Sequence, residues 1–372
     1  MRNKLAFAFI LLLMGCARQE GSWPTLKAPS DSAIRLNSIS LTRIELDSVY
    51  CSGAGFSGMC GPDEIGYFDK YLCYLYSFNI TGNLLDRKFG FGNGPSEISM
   101  RRVQGCDIHD NGVVTAFGSN LDVSIMREGT SKQTFTIPFN PEDPDRGKGE
   151  AFTTYSRPSI MDLKLSDEYL YYRCESQHPE FNLAVSASSY LTDSRHLVRV
   201  NLKDPRGEML IKGYPQPYHD SPREFMSVSM IRYDLLPDGF IVGFEATPEL
   251  YVCNMDGMPI RVFGVPGREM DQSYFPVRSL DADEISNHYL PNRENKGYYS
   301  TIKVIGPYVF RSYKKGDHKS VDGLQIYEDE ILIADLDVPK GMEVIGLVGS
   351  TVISNVFYDE TLNKLFCYEF DI

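Results

Sequence analysis

The sequence predicts an all-β protein: a six-bladed β-propeller whose ring is closed by an N-terminal strand joining the C-terminal blade. Three observations predict it. From Ile34 onward, apolar, β-branched and aromatic runs alternate with Gly, Pro and Asn/Asp turns, and the chain holds 31 Gly, 21 Pro, 23 Tyr and 21 Phe in 372 residues. A motif repeats: Leu75-Tyr76-x-x-Asn79-x-x-Gly82 matches Leu250-Tyr251-x-x-Asn254-x-x-Gly257 at an offset of 175. At about 40–50 residues per blade, that offset is three or four blades. Lastly, the final unit shows only three strands, while a strand before the first unit is unclaimed.

The chain divides into residues 1–15, 16–33 and 34–372. Arg2 and Lys4 precede a ten-residue apolar run, Leu5 to Met14. That run is too short to span a bilayer, which takes about 20 residues, and it fits the apolar part of a signal peptide. Its end, Leu12-Leu13-Met14-Gly15-Cys16, resembles the bacterial lipoprotein processing motif. The resemblance implies cleavage before Cys16 and acylation of that residue, in the cell envelope on the periplasmic face or the cell surface. Residues 16–33 are polar and Pro/Ser-rich, a tether.

Six units follow: Phe56 to Gly90, Ile98 to Phe139, Ile160 to Gly213, Met226 to Gly264, Ser300 to Val338 and Met342 to Ile372. The stretch Ile34 to Asp47 supplies the fourth strand of the last unit, which leaves no full open edge. Gly82, Gly90, Gly94, Gly257 and Gly264 are expected at turns that need positive φ. Asp281 to Leu290 makes at most one short helix.

After Cys16 seven cysteines remain, an odd number with no C-x-x-C pair. Cys73, Cys253 and Cys367 lie inside apolar strand patterns and read as small buried hydrophobes. Cys51 and Cys60 flank a Gly-rich segment and are the candidate disulfide pair.

Asn79-x-x-Gly82, the stretch Phe89-Gly90-x-Gly92-x-Gly94-Pro95-x-Glu97 and the lipoprotein start together resemble the TolB-like six-bladed propeller lipoproteins of Bacteroidetes. The resemblance covers about residues 34–372. It implies a fold and a compartment and no particular reaction.

The charge is −13, and −15 once residues 1–15 are removed. Nucleic acid, which needs a basic footprint, is excluded as a partner. Lipid rather than charge is then the expected contact with a membrane. Gly90-x-Gly92-x-Gly94 lacks the spacing, the Lys-Ser/Thr and the following helix of a phosphate loop. The acidic groups Glu142-Asp143-x-Asp145 and Asp281-x-Asp283-Glu284 lack a complete calcium-loop pattern. No histidine pairs with another at metal-ligand spacing, so no metal, catalytic residue or cofactor is expected.

Long connections at 140–159, 214–225 and 265–299 are rich in Pro, Tyr, Arg and His. Function on rigid β scaffolds is carried on such loops. Arg157, Tyr218, His219, His288 and Arg293 are therefore the candidate ligand-binding set, lining a funnel for an unknown protein, small molecule or glycan. The inner strands contribute mixed charges: Asp107 and His109, Asp162 and Lys164, Arg232 and Asp234, and Lys303. A propeller-type hydrolase, lyase or lactonase acting in the central channel is the rival to a binding or scaffolding module.

Overall fold

The computed structural model describes residues 23–25, 32–100, 102–109, 111–129, 132–137, 153–155, 162–177 and 186–372. Six antiparallel sheets form a six-bladed β-propeller. Blade 1 comprises Gly55–Gly61, Glu64–Asp69, Tyr74–Asn79 and Leu84–Phe89. Blade 2 comprises Val103–Ile108, Val114–Gly118, Asp122–Met126 and Gln133–Thr136. Blade 3 is Leu163–Leu165, Tyr169–Arg173, Arg195–Asn201 and Gly207–Lys212; blade 4 is Ile231–Leu236, Gly239–Phe244, Leu250–Asn254 and Pro259–Phe263. Blade 5 is Tyr298–Ile305, Tyr308–Lys314, Val321–Glu328 and Ile331–Pro339. Blade 6 is Val344–Val348, Thr351–Ser354 and Lys364–Asp371, with Thr42–Glu45 as its outer strand.

The N-terminal strand closes the ring as the sequence predicts, but it is shorter than the whole Ile34 to Asp47 stretch. Thr42 to Glu45 pair antiparallel with Glu369 to Phe366. Ser32–Leu36 instead runs parallel along the outer strand of blade 5. Ile44 and Leu46 are buried with Ile353, Leu365, Tyr76 and Phe78, in a core shared by blades 6 and 1.

The repeat falls at the same place in two blades three apart. Asn79 and Asn254 end third strands, and each carboxamide oxygen accepts two backbone N–H groups of the following turn: Thr81 and Asn83 at 3.0 and 2.9 Å, Asp256 and Met258 at 3.1 and 2.9 Å. Gly82 and Gly257 then take φ of 91° and 74°. Each lies against the end of the preceding blade's outer strand. A Cβ on Gly82 would meet the Glu45 carbonyl at 2.1 Å, and one on Gly257 the Ile211 nitrogen at 2.6 Å. Gly90 and Gly264 also have positive φ, 147° and 127°. The Gly90-to-Glu97 stretch is a closed inter-blade turn, but Gly94 does not take the positive φ expected of it; its N–H instead donates to the Glu97 carboxylate at 2.7 Å.

Two expectations are corrected. Cys51 and Cys60 are separate thiols. The Gly-rich segment between them forms the extended inner strand of blade 1, and five strand residues at about 3.3 Å each hold the two ends apart. The helical content is also larger. It comprises α1 (Ala187–Asp193), α2 (Gln216–Asp220), α3 (Pro222–Phe225), a 3₁₀ turn Met226–Val228 and α4 (Ala282–Asn295), a full 14 residues. Helices α2 to α4 fill connections between blades, and α4 packs on the 3₁₀ turn through Asn292 and Arg293.

Candidate functional site

The inner strands enclose a central channel of two chambers. The chamber at the start of these strands has a volume of about 370 Å³ and polar lining from Ser57, Asp107, Asp162, Lys164, Lys303 and Glu343. The chamber at their far end is about 390 Å³. Asp107, Ile108, Lys164, Lys303 and Ile345 line both, so they form the waist between them.

Charges of opposite sign alternate at this level over four successive blades: Asp107, Lys164, Asp234 and Lys303. The aspartates are held by the same clasp. Asp107 in blade 2 accepts the Leu165 N–H of blade 3 at 2.8 Å, and Asp234 in blade 4 accepts the Val304 N–H of blade 5 at 2.7 Å. Each clasped N–H follows a lysine, Lys164 or Lys303, in the inner strand of the next blade. Lys164 Nζ stands 3.3 Å from Asp234 Oδ1. Burial works against the Lys164 charge, but Asp234 and Asp107 outweigh it and hold the ammonium above its ordinary pKa. Burial likewise works against the Asp107 charge. His109, whose Nε2 is 3.0 Å from Asp107 Oδ2, and Lys164 overcome it and keep the carboxyl below its usual range. Glu343 also lines the first chamber, and burial raises its pKa against the pull of Lys314 and Arg232.

A second network leads from the channel wall to the connections. Asp162 meets Arg232 at 3.1 Å and Arg173 at 3.6 Å. Arg232 also pairs at 2.7 Å with Glu245, which is fully buried and pairs on its other oxygen with Arg293 of α4. Burial disfavours the Arg232 guanidinium, yet Glu245 and Asp162 more than compensate and raise its pKa. Arg173 is shifted down, by burial first and then by the like charge of Arg232.

The candidate residues chosen from the loops are engaged elsewhere. Arg157 lies outside the described residues, as does the acylation site Cys16. Tyr218 is completely buried among Tyr214, Phe225 and Phe244, and its hydroxyl donates to Val228 O at 2.9 Å. His219 is on the exposed side of α2, with Nε2 3.1 Å from Tyr214 O. His288 bonds within α4, Nδ1 to Glu284 O at 2.9 Å. Arg293 lies over the Tyr289 ring at 3.6 Å, donates to Ser227 O at 2.6 Å and holds Glu245. None of these four lines either chamber. Tyr218 and Arg293 tie the insertions to blade 4, while His219 and His288 bond within their own insertions, and the four do not form a funnel. The channel wall is built from the inner-strand charges, together with Glu343. Glu245, which links the two networks, carried one signal in the sequence: a lone acid inside the apolar stretch Phe240 to Ala246.

No protein-family model and no curated protein matches the chain. Among solved structures it is similar to a member of the DUF4221 family from Bacteroides vulgatus, at 14% identity and a TM-score of 0.57, over 89% of this chain and 96% of that one. It is also similar to a Bacteroides fragilis protein to which export is ascribed, at 13% identity and a TM-score of 0.49, over 92% and 99% of the two chains. The DUF4221 likeness supports the propeller fold.

Proposed function

We propose that this chain is a membrane-anchored lipoprotein of the bacterial envelope whose propeller is a binding module, with the ligand seated in the central channel. The start of the chain and the resemblance to TolB-like propeller lipoproteins support the anchor. The observation that carries the binding reading is the channel wall at and just beyond the waist, where Asp107, Lys164, Asp234 and Lys303 set alternating charge over four successive blades. Such a lining suits a polar ligand bearing a carboxylate with hydroxyl or amino groups beside it, such as an acidic glycan or a peptide terminus.

The test is thermal denaturation of the mature chain, residues 17–372, with a panel of uronic-acid oligosaccharides and short free-terminus peptides. Binding to the folded state raises Tm with the logarithm of the ligand excess over Kd. A ligand in the channel loses about tenfold or more in affinity in Lys303→Gln, the loss of one charge-assisted hydrogen bond. A panel without a single shift, or a ligand indifferent to Lys303→Gln, counts against the channel as its seat.

A further inference from the structure

In each four-stranded blade the hairpin between first and second strands lies at one face of the ring. The turn between second and third strands and the connection to the next blade lie at the other, the connection face. Twelve large apolar side chains are exposed among the described residues, and their distribution is uneven. Tyr50, Tyr71, Phe91, Phe275, Leu290 and Leu362, 42% to 80% exposed, all belong to the connection face. The other six belong to the outer strands and their turns, and of these Leu84, Met258 and Ile331, 38% to 44% exposed, lie at turns between third and fourth strands, which share the face of the hairpins. None belongs to the hairpins between first and second strands.

Trp23 adds an independent constraint. It stacks edgewise on Phe244 and Tyr251, with ring centroids 5.2 and 4.6 Å apart. Phe244 ends the second strand of blade 4 and Tyr251 begins near the start of the third, so this contact is also at the connection face. Trp23 lies seven positions after Cys16. Even fully extended, those residues reach about 25 Å. A lipid on Cys16 therefore holds this face, rather than the hairpin face, near the membrane.

We propose that the connection face rests on the lipid bilayer, with its exposed Tyr, Phe and Leu side chains in the interfacial layer and Trp23 fixing the orientation. Aromatic rings with one polar edge favour that layer, and interfacial binding scales with the apolar area it buries. This rests on the reading that Cys16 is acylated, and it adds which surface the membrane covers.

Hydrogen exchange tests it in two preparations: the acylated chain from its own cells in phosphatidylcholine vesicles, and residues 17–372 held by an N-terminal histidine tag on phosphatidylcholine vesicles doped with nickel-chelating lipid. The expected result in both is slower exchange on the vesicle at 70–72, 91–93, 287–291 and 360–363, with the hairpins at 62–64, 237–239 and 349–351 unchanged. Tyr71→Asp with Leu290→Asp, both at exposed sites, removes that protection while the unfolding midpoint stays. Trp23→Ala abolishes the difference between the faces. Equal protection of both faces, or protection of the hairpins, overturns the proposal. Intact mass of the cellular protein tests the anchor separately. An unmodified Cys16 with a protected connection face on the tagged chain removes the anchor and leaves the orientation standing; an acylated Cys16 without that pattern does the reverse. Protection that appears only when a second protein is added to the vesicles assigns the face to a protein partner and also overturns the proposal.

Discussion

His196 shows how a single side chain sets a property of the whole fold. It is buried against Tyr214 and Phe244, ring centroids 4.4 and 5.8 Å away, with Nε2 3.1 Å from Gly213 O. Burial lowers its pKa from 6.5 to about 3, with the Gly213 carbonyl opposing and Arg195 assisting. The folded state thus binds fewer protons than the unfolded one. Its contribution to stability is complete above pH 6.5 and is lost progressively as pH falls toward 3. Between pH 7 and pH 5 this one residue accounts for about 2 kcal/mol. In His196→Gln that slope disappears, which urea unfolding at the two pH values measures directly; an unchanged slope would mean that other groups carry it. Asn79 and Gly82 act at the same scale. Their roles were legible in the sequence because the turn is local: a carboxamide capping two N–H groups and a glycine at positive φ need nothing from the rest of the chain. His196 was not legible, because its pKa is set by Tyr214 and Phe244, which only the folded blades bring to it.

At the scale of elements, α4 is the piece the sequence concealed. Asp281 caps it, accepting Glu284 N–H at 2.8 Å, and the acidic group Asp281-x-Asp283-Glu284, which lacked a calcium-loop pattern, is the start of this helix. Its inward contacts include Ile285 and Tyr289, but also Asn292, fully buried and bonded to Ser227 Oγ at 2.6 Å, and Arg293 on Glu245. A helix docked through an amide and a guanidinium shows no apolar 3.6-residue period, so Asp281 to Leu290 read as one short helix at most. The inner strands were easier to read, because charges stood out in otherwise apolar runs. Which charge faced which remained unreadable, since the pairs join blades about 70 residues apart, as Asp234 and Val304 do. Two substitutions separate the parts of the α4 attachment. Asp281→Ala costs about 1 kcal/mol, the loss of one cap. Glu245→Gln leaves the Arg293 guanidinium without its buried counter-ion and Arg232 with Asp162 alone, and costs about 3–5 kcal/mol. Urea midpoints give both numbers. Hydrogen exchange in 282–295 shows the second loosening α4 more than the first, and the reverse order would place the attachment in the cap.

For the whole molecule, the N-terminal segment bears on both closure and anchoring. Thr42–Glu45 supplies the outer strand of blade 6, Arg43 lies 3.7 Å over the Phe366 ring and 3.1 Å from Asp359, and Ile44 and Leu46 fill the seam between blades 6 and 1. Upstream, Ser32–Leu36 lies along blade 5 and Trp23 on blade 4. Under the proposed acylation of Cys16, a pull on that residue reaches Trp23 and the blade 5 strand before the closing strand, so the load falls first on contacts that do not hold the ring shut. A chain beginning at Ser48 lacks the closing strand together with Trp23 and the blade 5 strand, so it tests closure by comparison with a chain beginning at Asn37, which keeps Thr42–Glu45. The Ser48 chain loses Ile44 and Leu46 from the seam, about 1.5–3 kcal/mol for each. It also exposes Lys364–Asp371 as an unpaired edge that favours self-association. The expected result is a lower urea midpoint with concentration-dependent aggregation, both reversed by adding a peptide of residues 32–47. A truncated chain as stable and monomeric as the parent would show that the C-terminal blade closes the ring with three strands. Channel binding reads the same closure from inside: Glu343 and Ile345 line the first chamber from blade 6, next to Ser57 of blade 1, whose hydroxyl accepts the Val356 N–H at 2.9 Å. Opening that seam therefore weakens any ligand that spans the waist, and the same peptide restores it.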